Sequence, residues 1–148
     1  MRSRATNILQ LIVLVTGLFY MVFGMLYLFM PELFTSLFNI DLNSEWSNQI
    51  KIDDYLSMLY IFSRCFAILL IFIGFEMVLP LYDPVRYREL IYFNGVFFPV
   101  VMSAYMALQF FLHRFDAPAY AAFIFSAVFM LNLIGLFLTK GQNRRGIK

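Results

Sequence analysis

The sequence predicts an all-α protein: an integral membrane, up-and-down four-helix bundle with a short interfacial helix on its outer side. Composition, four long apolar segments and mostly short connections predict this fold. Hydrophobic residues make up 62% of the 148 residues and charged residues only 14%, whereas soluble domains carry about 25% charged residues. We therefore expect one transmembrane domain, residues 1–148, whose surface faces lipid rather than water.

The four apolar segments cover about 7–30, 56–79, 90–113 and 117–139. Each is long enough to cross, because a helix rises about 1.5 Å per residue and about 20 residues cover a hydrocarbon core of about 30 Å. A helix satisfies its own backbone hydrogen bonds in lipid, whereas a barrel would show short alternating strands. All four segments are therefore predicted to be helices.

Basic residues flank these helices unevenly. Only Lys51 and Arg114 fall on one side. The other side holds Arg2, Arg4, Arg86, Arg88, Lys140, Arg144, Arg145 and Lys148. The positive-inside rule therefore places both termini in the cytoplasm, and the long run after MRSRATN, without a convincing cleavage site, is read as a retained first helix. A net charge of +2, with its basic residues at chain ends and in one loop, argues against a nucleic-acid partner.

The first helix leads into the outer loop, residues 31–55, which is acidic. Pro31 suits the start of a helix. The apolar face of that short helix consists of Leu33, Phe34, Leu37 and Phe38. Such a helix is expected to lie on the membrane surface, with Trp46, Tyr55 and Tyr60 as interfacial aromatic residues.

Small residues mark the expected contact faces between helices, since they allow close backbone approach. In the first two helices they are seven residues apart, nearly two turns, at Gly17, Gly24, Ala67 and Gly74. In the third helix Pro99 cannot donate a backbone hydrogen bond, so we expect a kink in the 95–99 stretch.

Two charges interrupt the second helix. Arg64 lies about eight residues, or about 12 Å, below the outer end, whereas Glu76 is about one turn from the inner end. Glu76 can snorkel to the surface or meet Arg86 or Arg88. Charged residues at the depth of Arg64 usually face a bundle interior or a polar cavity, so Arg64 is the best candidate for a ligand contact, with a structural role as the alternative.

When the helices are aligned by depth, polar residues of other helices lie near the level of each charge. The ligand or polar-cluster candidates near the level of Arg64 are Tyr105, Gln109 and Ser126. An inner polar layer is expected to contain Glu76, Gln10, Asn94 and the somewhat deeper Asn132. Polar residues between membrane helices also serve simply to join them, and the sequence leaves both explanations open.

Recognisable catalytic groups are missing from the sequence. Cys65 and His113 are each the only residue of their type, so neither a two-cysteine redox centre nor a metal site is expected. The sequence also lacks an HExxH, a GxSxG and a phosphate-binding glycine loop. We therefore expect no cofactor, nominate no catalytic residue and consider an enzyme the less favoured interpretation.

The stretches GLFYMVFGMLYLFMPELFTSLFNI and SRCFAILLIFIG, on either side of the acidic loop, resemble the DoxX-like group of small four-helix bacterial membrane proteins. The positions that match are Gly17, Gly24, Pro31, Arg64 and Gly74. They cover the first half of the chain, and the second half adds only the number of helices. The resemblance implies a four-helix architecture and a bacterial inner membrane, and it does not imply a reaction.

Three functions stay open from the sequence. The favoured one is a non-catalytic accessory or scaffold subunit of a larger membrane complex, surrounded by membrane lipids and by protein partners or further copies of the chain. The second is a binder of a lipid, a quinone or another amphipathic anion, with Arg64 at its polar head. The third is a small transporter, for which the 95–99 stretch gives the only hint.

Overall fold

The computed structural model describes residues 4–36, 52–113 and 116–140. In this part of the chain every regular element is helical. The elements are α1 (Arg4–Phe29), α2 (Pro31–Ser36), α3 (Asp54–Glu76), α4 (Leu79–Tyr82), α5 (Arg88–Tyr92), a π-helical segment (Phe93–Phe97), α6 (Phe98–His113) and α7 (Asp116–Lys140). The prediction of an all-α chain is confirmed.

Four helical stretches are long and apolar enough to cross a membrane, which indicates an integral membrane protein. They are Arg4–Phe29, Asp54–Tyr82, Arg88–Leu112 and Pro118–Lys140. Each coincides with one predicted apolar segment to within a few residues. In the third stretch, α5, the π-helical segment and α6 follow one another without a break.

The contact between α1 and α3 uses the small residues that the sequence nominated. A Cβ atom added at Gly24 would lie 2.6 Å from the carbonyl oxygen of Ala67, and one added at Gly74 would lie 2.7 Å from that of Gly17. Real Cβ atoms do not approach backbone oxygens so closely, so the two backbones meet here because glycine is present. The residue numbers run in opposite directions along the two helices, which are therefore antiparallel.

The packing order of the spanning helices differs from their order in the sequence. α1 packs along both α3 and α7, and α6 packs along α7. The hydroxyl of Ser103 on α6 lies 2.6 Å from that of Ser126 on α7 and donates to the carbonyl oxygen of Ala122 at 3.0 Å. α3 and α6 do not pack extensively against each other. The spanning helices therefore pack in the order α3, α1, α7, α6, with α3 and α6 at the two ends of this order.

Two apolar clusters fill the space between these helices. One lies near the start of α1 and the end of α7 and contains Leu9, Val13, Met77, Ile91, Val96 and Leu136. The other lies nearer the middle of these helices and contains Tyr20, Leu70, Ile73, Phe125 and Val128. In the second cluster the ring of Phe98 makes edge contacts with Tyr20 and Phe125, at centroid distances of 5.8 and 6.2 Å. Residues from all four spanning stretches thus meet in this aromatic layer.

The short helix α2 turns back against the C-terminal end of α1. The ring of Phe34 makes edge contacts with Phe23 and Tyr27, at 4.7 and 5.0 Å between centroids. Leu33 is about half exposed, at 51%. The predicted helix start at Pro31 is confirmed. The rest of the predicted apolar face, Leu37 and Phe38, and the acidic part of the loop with Trp46 lie outside the described residues.

Candidate functional site

The π-helical segment of the third span takes part in a set of buried polar contacts between helices. The amide of Phe98 donates to the carbonyl oxygen of Phe93, five residues earlier. In the same register the carbonyl of Asn94 would need the amide of Pro99, and proline has no N–H. The hydroxyl of Tyr20 on α1 donates to this Asn94 oxygen instead, at 2.9 Å, and Tyr20 is fully buried. The stretch for which the sequence predicts a kink, 95–99, thus overlaps a π bulge at Phe93–Phe97, and a hydroxyl from another helix bonds to its free carbonyl.

The side chain of Asn94 joins the third span to the second. Its Nδ2 donates to Oε2 of Glu76 at 3.0 Å, and Asn94 is only 2% exposed. The sequence offered Arg86 and Arg88 as partners of Glu76. In the structure the Arg86 guanidinium lies 5.7 Å from the centre of the Tyr87 ring, and Arg88 donates to a backbone carbonyl of α7. Glu76 is therefore held by an amide.

Asn132 joins the fourth span to the first and is completely buried. Its Nδ2 donates to Oγ1 of Thr16 at 2.8 Å and to the carbonyl oxygen of Val128 at 2.9 Å. Its amide group packs directly on the π-helical segment, because a Cβ atom added at Gly95 would lie 2.6 Å from Asn132 Oδ1. That oxygen has no hydrogen-bond partner among the described residues. Gly95 leaves the space that the amide occupies.

The residues of the predicted inner polar layer thus form separate hydrogen bonds between helices. Gln10 Nε2 donates to the carbonyl oxygen of Leu81 in α4, apart from the Asn94 and Asn132 contacts. Sequence reasoning missed Thr16 and Tyr20. Both belong to a buried stripe of α1 that includes Leu9 and Val13, and the spacing of four residues between them is the signal that could have identified them.

Arg64 lies near the middle of α3, where its guanidinium is 4.6 Å from the centre of the Tyr60 ring, one turn earlier on the same helix. This distance fits a cation–π contact. The Nε atom is buried, and no described residue forms a hydrogen bond with it. Within the described part of the chain, Arg64 forms no ion pair. It therefore presents a charged group that is held by a ring and is not neutralised by a carboxylate.

No hydrogen bond joins Arg64 to the three polar residues nominated at its level, as far as the described residues go. Ser126 is bonded to Ser103, and Tyr105 is 54% exposed. Gln109 is partly buried and has no described bond to Arg64. The structure therefore brings Ser126 into a contact between α6 and α7, rather than into a cluster with Arg64.

The rotation of α3 explains this separation. Leu70 of α3 belongs to the same apolar cluster as Tyr20 of α1 and Phe125 of α7, so it marks the side of α3 that faces the other helices. Arg64 is six residues before Leu70, which turns it by about 120° around the helix axis. The Cα–Cβ bond of Arg64 is therefore turned away from this cluster, to which Phe125 of α7 belongs, whereas the three nominated partners are located on α6 and α7.

The groups that could hold a metal ion or a reactant do not converge in the described residues. No three His, Cys, Asp or Glu side chains come together there as a metal site. Cys65 is exposed on the surface of α3. Comparison with protein-family models, with curated proteins and with solved structures gives no match for this chain.

Proposed function

We propose that this chain is a non-catalytic integral membrane protein that acts as an accessory or scaffold subunit of a larger membrane complex. It would form an up-and-down bundle in a bacterial inner membrane, with both termini in the cytoplasm, as in the DoxX-like group that its first half resembles. The observation that carries the proposal is that the most deeply buried polar groups form hydrogen bonds between helices. Each of three residues bonds to another spanning stretch: Asn94, Asn132 and Tyr20. Polar residues between membrane helices commonly hold the helices together in this way.

The lateral surface of the third span supports a role in assembly. Only 17% of the most apolar 18-residue part of this span is buried, against 28 to 33% of the corresponding parts of the other three spans. Its outer half exposes Tyr105 at 54%, Leu108 at 53% and Phe111 at 75%. A helix that contributes so little of its surface to its own bundle has a face available for lipid or for another membrane helix.

Crosslinking within the native membrane tests this function. A photoreactive amino acid at Leu108 should give one discrete protein adduct, and one at Phe72 on the exposed side of α3 serves as the matched control. Purification in a gentle detergent should retain the same adduct partner, or a second copy of this chain, in a fixed ratio. A chain that is monomeric and forms only lipid adducts at Leu108 would contradict a subunit role.

A second candidate function is the binding of an amphipathic anion at Arg64. The observation that favours it is the buried, unpaired Nε beside the Tyr60 ring, because guanidinium donors suit carboxylate and phosphate groups. Arg64→Met should leave the protein folded but remove a copurifying anionic lipid or quinone, and Arg64→Lys should retain part of it. If Arg64→Met instead lowers thermal stability to the same extent with and without ligand, Arg64 is structural.

A further inference from the structure

A groove at the inner end of the protein lies between the start of the third span and the end of the fourth. It has a volume of about 430 Å³ and is open on one side, which is within the usual range for small-molecule sites. Its charged lining residues are Arg88, Glu89 and Lys140, and its other lining residues are Tyr92, Phe93, Leu133, Leu136 and Phe137. None of these residues takes part in the polar contacts between Tyr20, Asn94, Glu76 and Asn132.

The two basic residues are placed to attract an anion. Nη2 of Arg88 donates to the carbonyl oxygen of Leu136 at 3.3 Å, which fixes the guanidinium at the groove. Lys140 Nζ lies 5.8 Å from the centre of the Phe137 ring. Neither forms an ion pair with a carboxylate of the described residues, although Glu89 also lines the groove. The charged groups at the groove thus carry a net charge of about +1.

The apolar part of the groove extends from these charges toward the hydrocarbon layer. Arg88 is the first residue of its spanning stretch and Lys140 the last of its own, so both lie at the membrane surface. Leu133 is seven residues before Lys140, or about 10 Å deeper along α7. The walls there are exposed aromatic rings, Tyr92 at 57% and Phe137 at 62%. A free phosphate would leave this part of the groove unused.

We propose that this groove binds one anionic phospholipid, with its phosphate at Arg88 and Lys140 and an acyl chain along Phe93, Leu133 and Phe137. Basic pockets between membrane helices on the cytoplasmic side bind anionic head groups in this manner. The site is distinct from Arg64, which lies near the middle of α3. It requires no partner protein, so its test is independent of the proposed subunit role.

The experiment measures how strongly the full chain retains spin-labelled lipids in phosphatidylcholine vesicles. Labelled phosphatidylglycerol should be immobilised in preference to labelled phosphatidylcholine. Arg88→Gln and Lys140→Gln should each lower this preference by up to about five-fold, because one basic residue near the surface contributes about that factor. Arg86→Gln is the matched control: Arg86 is exposed two residues before Arg88 and does not line the groove. It should retain the preference.

Two further measurements distinguish binding of a lipid from binding of other anions and from non-specific attraction to the basic residues. Phe137→Ala keeps both charges and removes an exposed apolar wall, so it should reduce lipid retention while leaving circular dichroism unchanged. Inorganic phosphate should displace no more labelled lipid than chloride at equal ionic strength, since both screen equally. The proposal is overturned if phosphate displaces the lipid specifically, if Phe137→Ala has no effect, or if Arg86→Gln abolishes the preference as fully as the groove variants do.

Discussion

Replacing Tyr20 with Phe removes one hydroxyl from the centre of the protein and keeps the aromatic ring. The ring contacts with Phe19 and Phe98, at 5.5 and 5.8 Å between centroids, do not involve that hydroxyl. The variant therefore isolates the 2.9 Å hydrogen bond to the carbonyl oxygen of Asn94. It leaves this oxygen without a donor, because Pro99 cannot supply one from the same helix.

The expected cost follows from comparing the folded protein with separated helices in the membrane. Hydrogen bonds between membrane helices contribute about 0.6 kcal/mol on average, because the separated helices find other partners. An unpaired buried carbonyl costs about 1 to 3 kcal/mol. In the π-helical register the amide of Phe98 bonds to Phe93 and Pro99 has no N–H, so Tyr20 supplies the donor that the third span lacks for the Asn94 oxygen. We expect Tyr20→Phe to lower the free energy of unfolding by about 1.5 kcal/mol.

The measurement is reversible unfolding by a denaturing detergent in mixed micelles, followed by circular dichroism. A double-mutant cycle with Pro99→Ala provides the internal control, because alanine at this position restores an amide that can reach the Asn94 oxygen. Tyr20→Phe should then cost less in the Pro99→Ala background, with a coupling energy of about 1 kcal/mol. Two results would refute the idea that Tyr20 matters because the Asn94 carbonyl lacks a donor from its own helix. One is a loss of unfolding free energy below about 0.5 kcal/mol in the natural background, and the other is a coupling energy near zero.

Three further predictions concern the helix contacts and the topology. Gly24→Val should lower the free energy of unfolding by about 1 to 3 kcal/mol, since its Cβ would lie 2.6 Å from a backbone oxygen of α3. A second variant, Gly135→Ala, is the comparison: a Gly24→Val cost no larger than the Gly135→Ala cost would be inconsistent with this contact. Gly135→Ala should cost less than about 1 kcal/mol in the same unfolding assay, because its Cβ would meet the ends of flexible side chains. Reporter fusions at Lys148 and within residues 43–48 should report opposite sides of the membrane, and the same side for both would remove the model of four spans.

The contact face between α1 and α3 could be predicted from the sequence because its residues constrain both depth and rotation. Gly17 and Gly24 share a side of α1, and Ala67 and Gly74 share a side of α3, since seven residues make nearly two turns. Two helices that each present a line of small residues gain most van der Waals contact when those lines face each other. The structure shows this pairing.

The surroundings of Arg64 could not be predicted in the same way. Position along an apolar segment gives depth, and depth alone selected Tyr105, Gln109 and Ser126. Rotation depends on which neighbour a helix packs against, and α3 packs along α1 rather than α6. Similarly, Pro99 located the irregularity in the third span, but its effect on the Asn94 carbonyl depended on the π-helical register. That register identifies Tyr20 as the missing donor.

The third span is held by specific polar contacts more than by burial of apolar surface. It has the smallest buried share of the four, yet Asn94 and Gly95 contact every other span. The Asn94 backbone oxygen accepts from Tyr20 of α1, its side chain donates to Glu76 of α3, and Gly95 packs against Asn132 of α7. Apolar contacts compete poorly with lipid in orienting a membrane helix, whereas hydrogen bonds and close backbone contacts depend on rotation and depth. The π bulge therefore fixes where the third span sits and leaves its outer face uncovered.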